Sequence, residues 1–206
     1  MSTDVVHGEE ELFARTSHLF ATASEVFCAA KDLNTFAATK PHQPVSMPRL
    51  RKLYPPGALM NPSTAQHLRT VSQRREAEVR ITADDLNETI IIDRRFAILA
   101  GDLRDGRRSY GVVTAPAVVQ NVLSLFDAAW RPATDLAVFD AQYAELRSLA
   151  PRVLELLASG CKDETAARTL GLGVRTYRRR VAELMSALGA ESRFQAGMRA
   201  RDLGLI

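Results

Sequence analysis

The sequence predicts an α+β protein: a long N-terminal helix, a small mixed sheet with helices on it, and an all-α C-terminal domain of four to five helices. Three patterns predict it. Apolar residues recur every seven positions from Leu12 to Leu33, the period of a supercoiled helical seam. Ile90, Ile91 and Ile92 stand in succession, the run expected of a strand buried on both faces. Beyond residue 140 the chain reads as helix throughout, in four to five short segments.

Residues 9–37 read as one amphipathic helix, with Leu12, Leu19, Val26 and Leu33 on the seam and Phe13, Phe20 and Phe27 beside them. The seam either packs on its own chain or pairs with a second copy as a coiled coil, which makes those four residues candidate dimerisation positions. Residues 40–48 hold three prolines and read as an irregular crossing. A strand is expected at 51–54. A helix follows from Asn61–Pro62 to about residue 75, with Asn at the N-cap and Pro at the first helical position. Strands are expected at 78–82, 88–93, 96–100 and 109–114, with Arg94–Arg95 as a turn and 101–108 as a polar loop. A helix at 116–130 closes this domain, which spans 49–132. Residues 133–140 read as a linker. Helices are expected at 141–148, 151–159, 163–170, 175–188 and 192–203, forming the C-terminal domain 141–206.

The chain has 206 residues with a net charge of +3, enough for one or two domains with a core that needs no disulfide. Its two cysteines, Cys28 and Cys161, make no framework, which fits a reducing compartment. There is no run long and apolar enough for a transmembrane helix and no secretory leader pattern, so a cytoplasmic protein without a membrane partner is expected. The four histidines lack ligand spacing, and no dinucleotide fingerprint or nucleophile elbow appears. No metal, cofactor or catalytic residue is expected.

Charge is unevenly placed. Residues 1–139 hold 16 acidic and 16 basic side chains; residues 140–206 hold 8 acidic and 11 basic, and so carry the whole excess. Two helices are expected around Gly171, joined by a turn of three or four residues. The second opens with Arg175, Arg178, Arg179 and Arg180, while Val181, Leu184, Met185 and Leu188 form its inner face. Four cations at a helix N-terminus oppose the macrodipole. A polyanion would turn that repulsion into attraction, as when a recognition helix enters the major groove of duplex DNA.

The segment from Val153 onward carries LLASG, ARTLGL, RTYRRRV and LGAESRFQA. It resembles the C-terminal DNA-binding domain of the LuxR/NarL family of bacterial transcription regulators. The resemblance implies that Arg178 and Arg179 reach bases and that Arg175 and Thr176 hold phosphates. It makes Arg180 and Lys162 further DNA-binding candidates. It also implies that the last helix, with Phe194 and Met198, forms a dimer interface. Gly173 stands where the family commonly has Ser, Tyr177 for Val, and Arg180 for His.

Leu86–Gly101, LNETIIIDRRFAILAG, is similar to the strand-turn-strand of the phospholipase D fold, which reads H-x-K-x-x-x-x-D. Asp93 matches the aspartate, but Leu86 replaces the nucleophilic histidine and Glu88 the phosphate-holding lysine. The resemblance therefore implies a non-catalytic relative. A degenerate pattern of this kind beside a long helix, with a helix ending in Trp130, resembles the effector domain of TrmB-like regulators. That likeness implies a small-molecule effector, although nothing in residues 49–132 identifies a pocket for one. The reading is a homodimeric, sequence-specific DNA-binding regulator acting on a pseudo-palindromic site. The alternative is a protein-interaction or effector-sensing module whose helix-turn-helix does not read DNA, and a phosphodiesterase is the remote third.

Overall fold

The computed structural model describes residues 3–30, 48–84, 86–104, 106–202 and 204–206. The chain divides into two compact units. One comprises Met1–Tyr54 and Thr70–Asp135; the other comprises Pro55–Arg69 and Leu136–Ile206.

The sheet unit is an eight-stranded mixed sheet with helices on its faces. Its elements are β1 (Thr3–His7), α1 (Glu9–Thr22), β2 (Glu25–Ala29), β3 (Arg49–Tyr54), the end of α2 (Pro62–Ser72), β4 (Ala77–Ile81), β5 (Thr89–Ile92), β6 (Phe96–Arg104), β7 (Arg107–Val113), α3 (Pro116–Trp130) and β8 (Thr134–Asp135). Strand order is β1-β7-β6-β5-β2-β3-β4-β8. β2, β3 and β4 run parallel, and the other neighbours pair antiparallel.

The isoleucine run does what its pattern requires. Ile90 and Ile92 join Leu12 and Phe20 of α1 in one core, whereas Ile91 joins Val119, Leu123 and Phe126 of α3 in another. Alternation along a strand sends neighbours to opposite faces, so a strand covered on both faces needs apolar residues throughout. Trp130 closes the α3 side, stacked on Phe126 at 5.7 Å and covered by the Arg80 guanidinium at 4.6 Å.

The single helix expected over 9–37 is corrected: α1 stops at Thr22, and Val26 belongs to strand β2. Ala23 is already extended (ψ 135°), and Val26–Ala29 are buried between β3 and β5. The seven-residue spacing of Leu12, Leu19 and Val26 thus arises from two different elements facing one core. Leu12 is 0% exposed and Val26 7%, while Leu19 packs beside them. These side chains form their own chain's interior rather than a coiled-coil surface; Leu33 lies outside the described residues.

Two further expectations change. The polar loop at 101–108 is mostly hairpin, because β6 runs to Arg104 and β7 starts at Arg107, with a register shift between Ala100 and Leu103. Backbone pairing there proceeds without apolar alternation, so the pattern did not reveal it. The linker at 133–140 is instead β8 followed by the start of a helix, where Leu136 and Phe139 are buried.

The helical unit contains α4 (Leu136–Ala158), α5 (Asp163–Thr169), α6 (Val174–Ala187) and α7 (Arg193–Asp202). The two helices expected at 141–148 and 151–159 are one. Pro151 lies inside α4 on its exposed side, while Ala150, Val153 and Leu154 on the inner face carry the helix through. A proline facing solvent removes one hydrogen bond without meeting the packed side. Those three residues share a core with Ala166, Ala167, Tyr177, Val181 and Leu184. No helix among the described residues is long and apolar enough to cross a membrane.

Candidate nucleic-acid interface

Helices α5 and α6 are joined by the four residues 170–173. The first turn of α5 carries Asp163 and Glu164, acids that complement its dipole. The helix ends at Gly171, whose φ of +68° disfavours any side chain. The amides of Gly171 and Leu172 donate to the carbonyls of Arg168 (3.1 Å) and Ala167 (2.9 Å), the paired bonds of a Schellman ending. Gly173 then caps α6 in an extended conformation, and the Tyr177 amide donates to its carbonyl at 2.9 Å. Tyr177, Val181, Leu184 and Ala187 face inward, whereas Leu172 in the turn is half-buried.

The arginines of α6 divide into three kinds. Arg175 is exposed and makes no ion pair among the described residues, and Thr176 beside it is half-buried. Arg178 and Arg179 are also exposed, with side chains 59% and 64% accessible. Arg178 Nε donates to Asp163 Oδ2 at 2.7 Å, and its Nη2 lies 3.5 Å from Glu164 Oε1. Arg179 has a looser ion pair with Glu183 at 3.7 Å. Arg180 is different. Its side chain is 14% exposed and is bound by Glu183 at 2.8 Å and by Glu145 of α4. Arg180, expected to face DNA, is thus engaged by carboxylates of its own unit. One step further round the helix, it ties α6 to α4. Lys162 is exposed at the cap of α5.

Asp163 gathers the surface arginines. Besides Arg178 it accepts two bonds from Arg193 of α7, at 2.7 and 3.2 Å. Hydrogen bonds from Arg193 and then Arg178 hold its carboxyl at about 2, below the ordinary 3.8. Arg199 of α7 donates to the Leu188 carbonyl at 2.8 Å and to that of Gly189, satisfying the end of α6. Sequence reasoning missed both links: Asp163 and Arg193 are thirty positions apart, and no local pattern joins them. On the outer side of α7, Phe194 is 78% exposed and Met198 47%. With Leu157, Gly197 and Ile206 they line an apolar groove of about 550 Å³ flanked by Arg193 and Arg201.

The sheet unit places the degenerate motif in structural roles. Leu86 packs beside the α3-side core. Glu88 is 6% exposed and accepts from Arg108 Nη1 at 2.8 Å. Asp93, at φ 49° in the β5–β6 turn, accepts from the backbone amides of Ser24 (2.8 Å) and Glu25 (2.9 Å). Leucine supplies no nucleophile at the histidine position. A carboxylate at the lysine position repels phosphate, and the aspartate ties the start of β2 to the turn. Burial pushes the Cys28 thiol up to about 11, so it offers no thiolate at neutral pH.

The fold is that of known proteins of very different sequence. Over 65% of this chain it is similar to two solved structures. One is NucT from Helicobacter pylori (TM-score 0.52, 9% identity, 99% of that chain). The other is Nuc from Salmonella typhimurium, a phospholipase D family member (TM-score 0.50, 10% identity, 97% of that chain). The archaeal chromatin protein TrmBL2 matches at TM-score 0.48 with 15% identity, over 65% of this chain and 54% of that one. No family model matches the chain. In sequence it is similar to a bialaphos biosynthetic pathway regulatory protein of Streptomyces hygroscopicus, at 34% identity over 131 residues. That match covers 63% of this chain and 51% of the relative, so it spans about half the relative's length.

Proposed function

We propose that the chain is a sequence-specific, DNA-binding transcription regulator of the LuxR type, with α6 as its recognition helix. The observation that carries the reading is the row of exposed arginines Arg175, Arg178 and Arg179 on the first turns of α6, directly after a glycine-terminated helix and a four-residue turn. The likeness to a Streptomyces regulatory protein supports the same class. In this reading Arg178 and Arg179 reach base edges in the major groove, while Arg175, Thr176 and Lys162 hold phosphates. Phe194 and Met198 supply the apolar centre of a homodimer that places two α6 helices on a pseudo-palindromic site. The protein works in the cytoplasm on the nucleoid and performs no phosphodiester hydrolysis, since Leu86 and Glu88 occupy the positions hydrolysis needs.

Selection from genomic fragments at about 150 mM salt tests this, with an Arg178→Ala/Arg179→Ala control. One palindromic motif is expected with the wild type and none with the control. Each single substitution should cost about 1–3 kcal/mol on the selected site. Arg175→Ala should weaken all sequences alike and lower the salt slope by about one. Equal losses on selected and random DNA for all three would refute this division of roles.

The second reading, a protein-interaction module, is favoured by the intramolecular ion pairs of Arg178 and Arg180. It predicts no DNA retention even near 50 mM salt. A small-molecule effector acting through the sheet unit completes the proposal. A metabolite screen that never raises the melting temperature would remove it.

A further inference from the structure

We propose that Asp163 is a positioning residue for sequence readout: it grips the Nε edge of Arg178 and so presents the Nη end of that guanidinium outward for a guanine. The inference rests on the DNA-reading proposal above.

An arginine reads guanine through two parallel N–H groups directed at O6 and N7. Its side chain is long, and an unheld guanidinium samples many rotamers before it can do so. Arg178 is held. Nε, the donor nearest the backbone, is engaged by Asp163 at 2.7 Å. At the far end Nη2 donates a long bond to Glu164 Oε1 at 3.5 Å, which a guanine would displace, and Nη1 has no ion pair among the described residues. The anchor is itself enclosed: the Asp163 side chain is 13% exposed, while that of Arg178 is 59% exposed. A largely buried acceptor holding the inner edge of an exposed guanidinium is the arrangement that pre-organises a bidentate contact.

The other exposed arginines of α6 lack it. Arg175 has no ion pair among the described residues, and Arg179 meets only the Glu183 carboxylate at 3.7 Å. A carboxylate beside a DNA-facing helix repels phosphate, so Asp163 weakens sequence-independent attraction. Its presence is understandable where it improves discrimination. Removing its charge should therefore move the two kinds of binding in opposite directions.

The test is selection from a pool of random duplexes with the full chain as wild type, Asp163→Asn and Arg193→Gln, each first shown to be folded by thermal melting. Affinities for the selected duplex and for a random duplex are then compared. The wild type should enrich a motif containing a guanine that Arg178→Ala no longer demands. Asp163→Asn should lower the ratio of selected to random affinity about tenfold, one good base contact's worth, with tighter random binding. Arg193→Gln removes the link to α7 but leaves the Asp163–Arg178 pair. It should lower the melting temperature while keeping the ratio within about twofold.

An unchanged ratio in Asp163→Asn overturns the proposal. So does an equal loss in Arg193→Gln, because Asp163 would then act only through the scaffold. If Asp163→Asn does not fold, Arg178→Lys serves instead. It keeps the charge but lacks the fork, and a guanine preference that survives it overturns the proposal. A wild type that enriches no motif sinks the DNA-reading proposal itself, an outcome distinct from a motif that Asp163→Asn leaves intact.

Discussion

In the sheet unit the motif carboxylates are turned inward or onto backbone. Glu88 is buried against Arg108, and Asp93 binds two amides at the start of β2. In the helical unit the guanidiniums of Arg175, Arg178 and Arg179 remain at the surface of α6. The carboxylates of the first are taken up inside the unit, while the cations of the second stay accessible. The difference separates frame from function. A charge neutralised in the interior is retained for the geometry it holds, while a row of accessible charges on one helix face can still meet a partner.

The contrast is broken most sharply at Glu88. Glu88→Ala should destabilise the sheet unit by about 3 kcal/mol, since it leaves Arg108 without its buried carboxylate. Urea unfolding measures this, and a change under about 0.5 kcal/mol would deny the pair a framing role. Asp93→Ala comes next, at about 1–2 kcal/mol, because two backbone amides lose their acceptor. Asp93→Asn should recover part of the loss, as Asn keeps one acceptor and tolerates positive φ. Arg180→Ala sharpens the boundary within α6 itself. It should cost about 1 kcal/mol of stability and leave the salt slope of DNA binding unchanged; a slope reduced as much as by Arg175→Ala would return Arg180 to the DNA face.

The smallest effect is an acid one. Asp163 has a folded value of about 2 against an ordinary 3.8. A carboxylate lowered in the folded state contributes stability above its unfolded value and loses it as pH falls through the folded one. The protein should therefore weaken between about pH 4 and pH 2, and Asp163→Asn should flatten that part of the acid curve. An acid curve unaltered by the substitution would show that the clasp adds nothing.

Legibility followed locality. The helix cap at Asn61 accepts from the amides of Ser63 and Thr64, as its position before Pro62 implied. α3 spans the expected residues 116–130. Both signals are complete within a few neighbouring residues. β2 was misread because Leu12, Leu19 and Val26 keep helical spacing by coincidence, and Ser24 with Ala23 is a weak break. α4 was cut in two because proline is read as a stop unless one knows which side of the helix it faces. In the candidate interface, the row of arginines is legible, but their sorting into exposed, held and part-buried is not.

Local pattern is enough for the mixed composition of the fold, the isoleucine strand, the glycine-ended turn between α5 and α6, and the placement of cations on one short helix. These are consequences of side-chain period and backbone preference, which act over a few residues. Folding alone makes the N-terminal apolar repeat serve two elements of one core, ties Arg180 to α4, and sets Asp163 between Arg178 and Arg193. Those outcomes depend on surfaces brought together from distant parts of the chain. Burial and charge pairing are properties of the assembled chain.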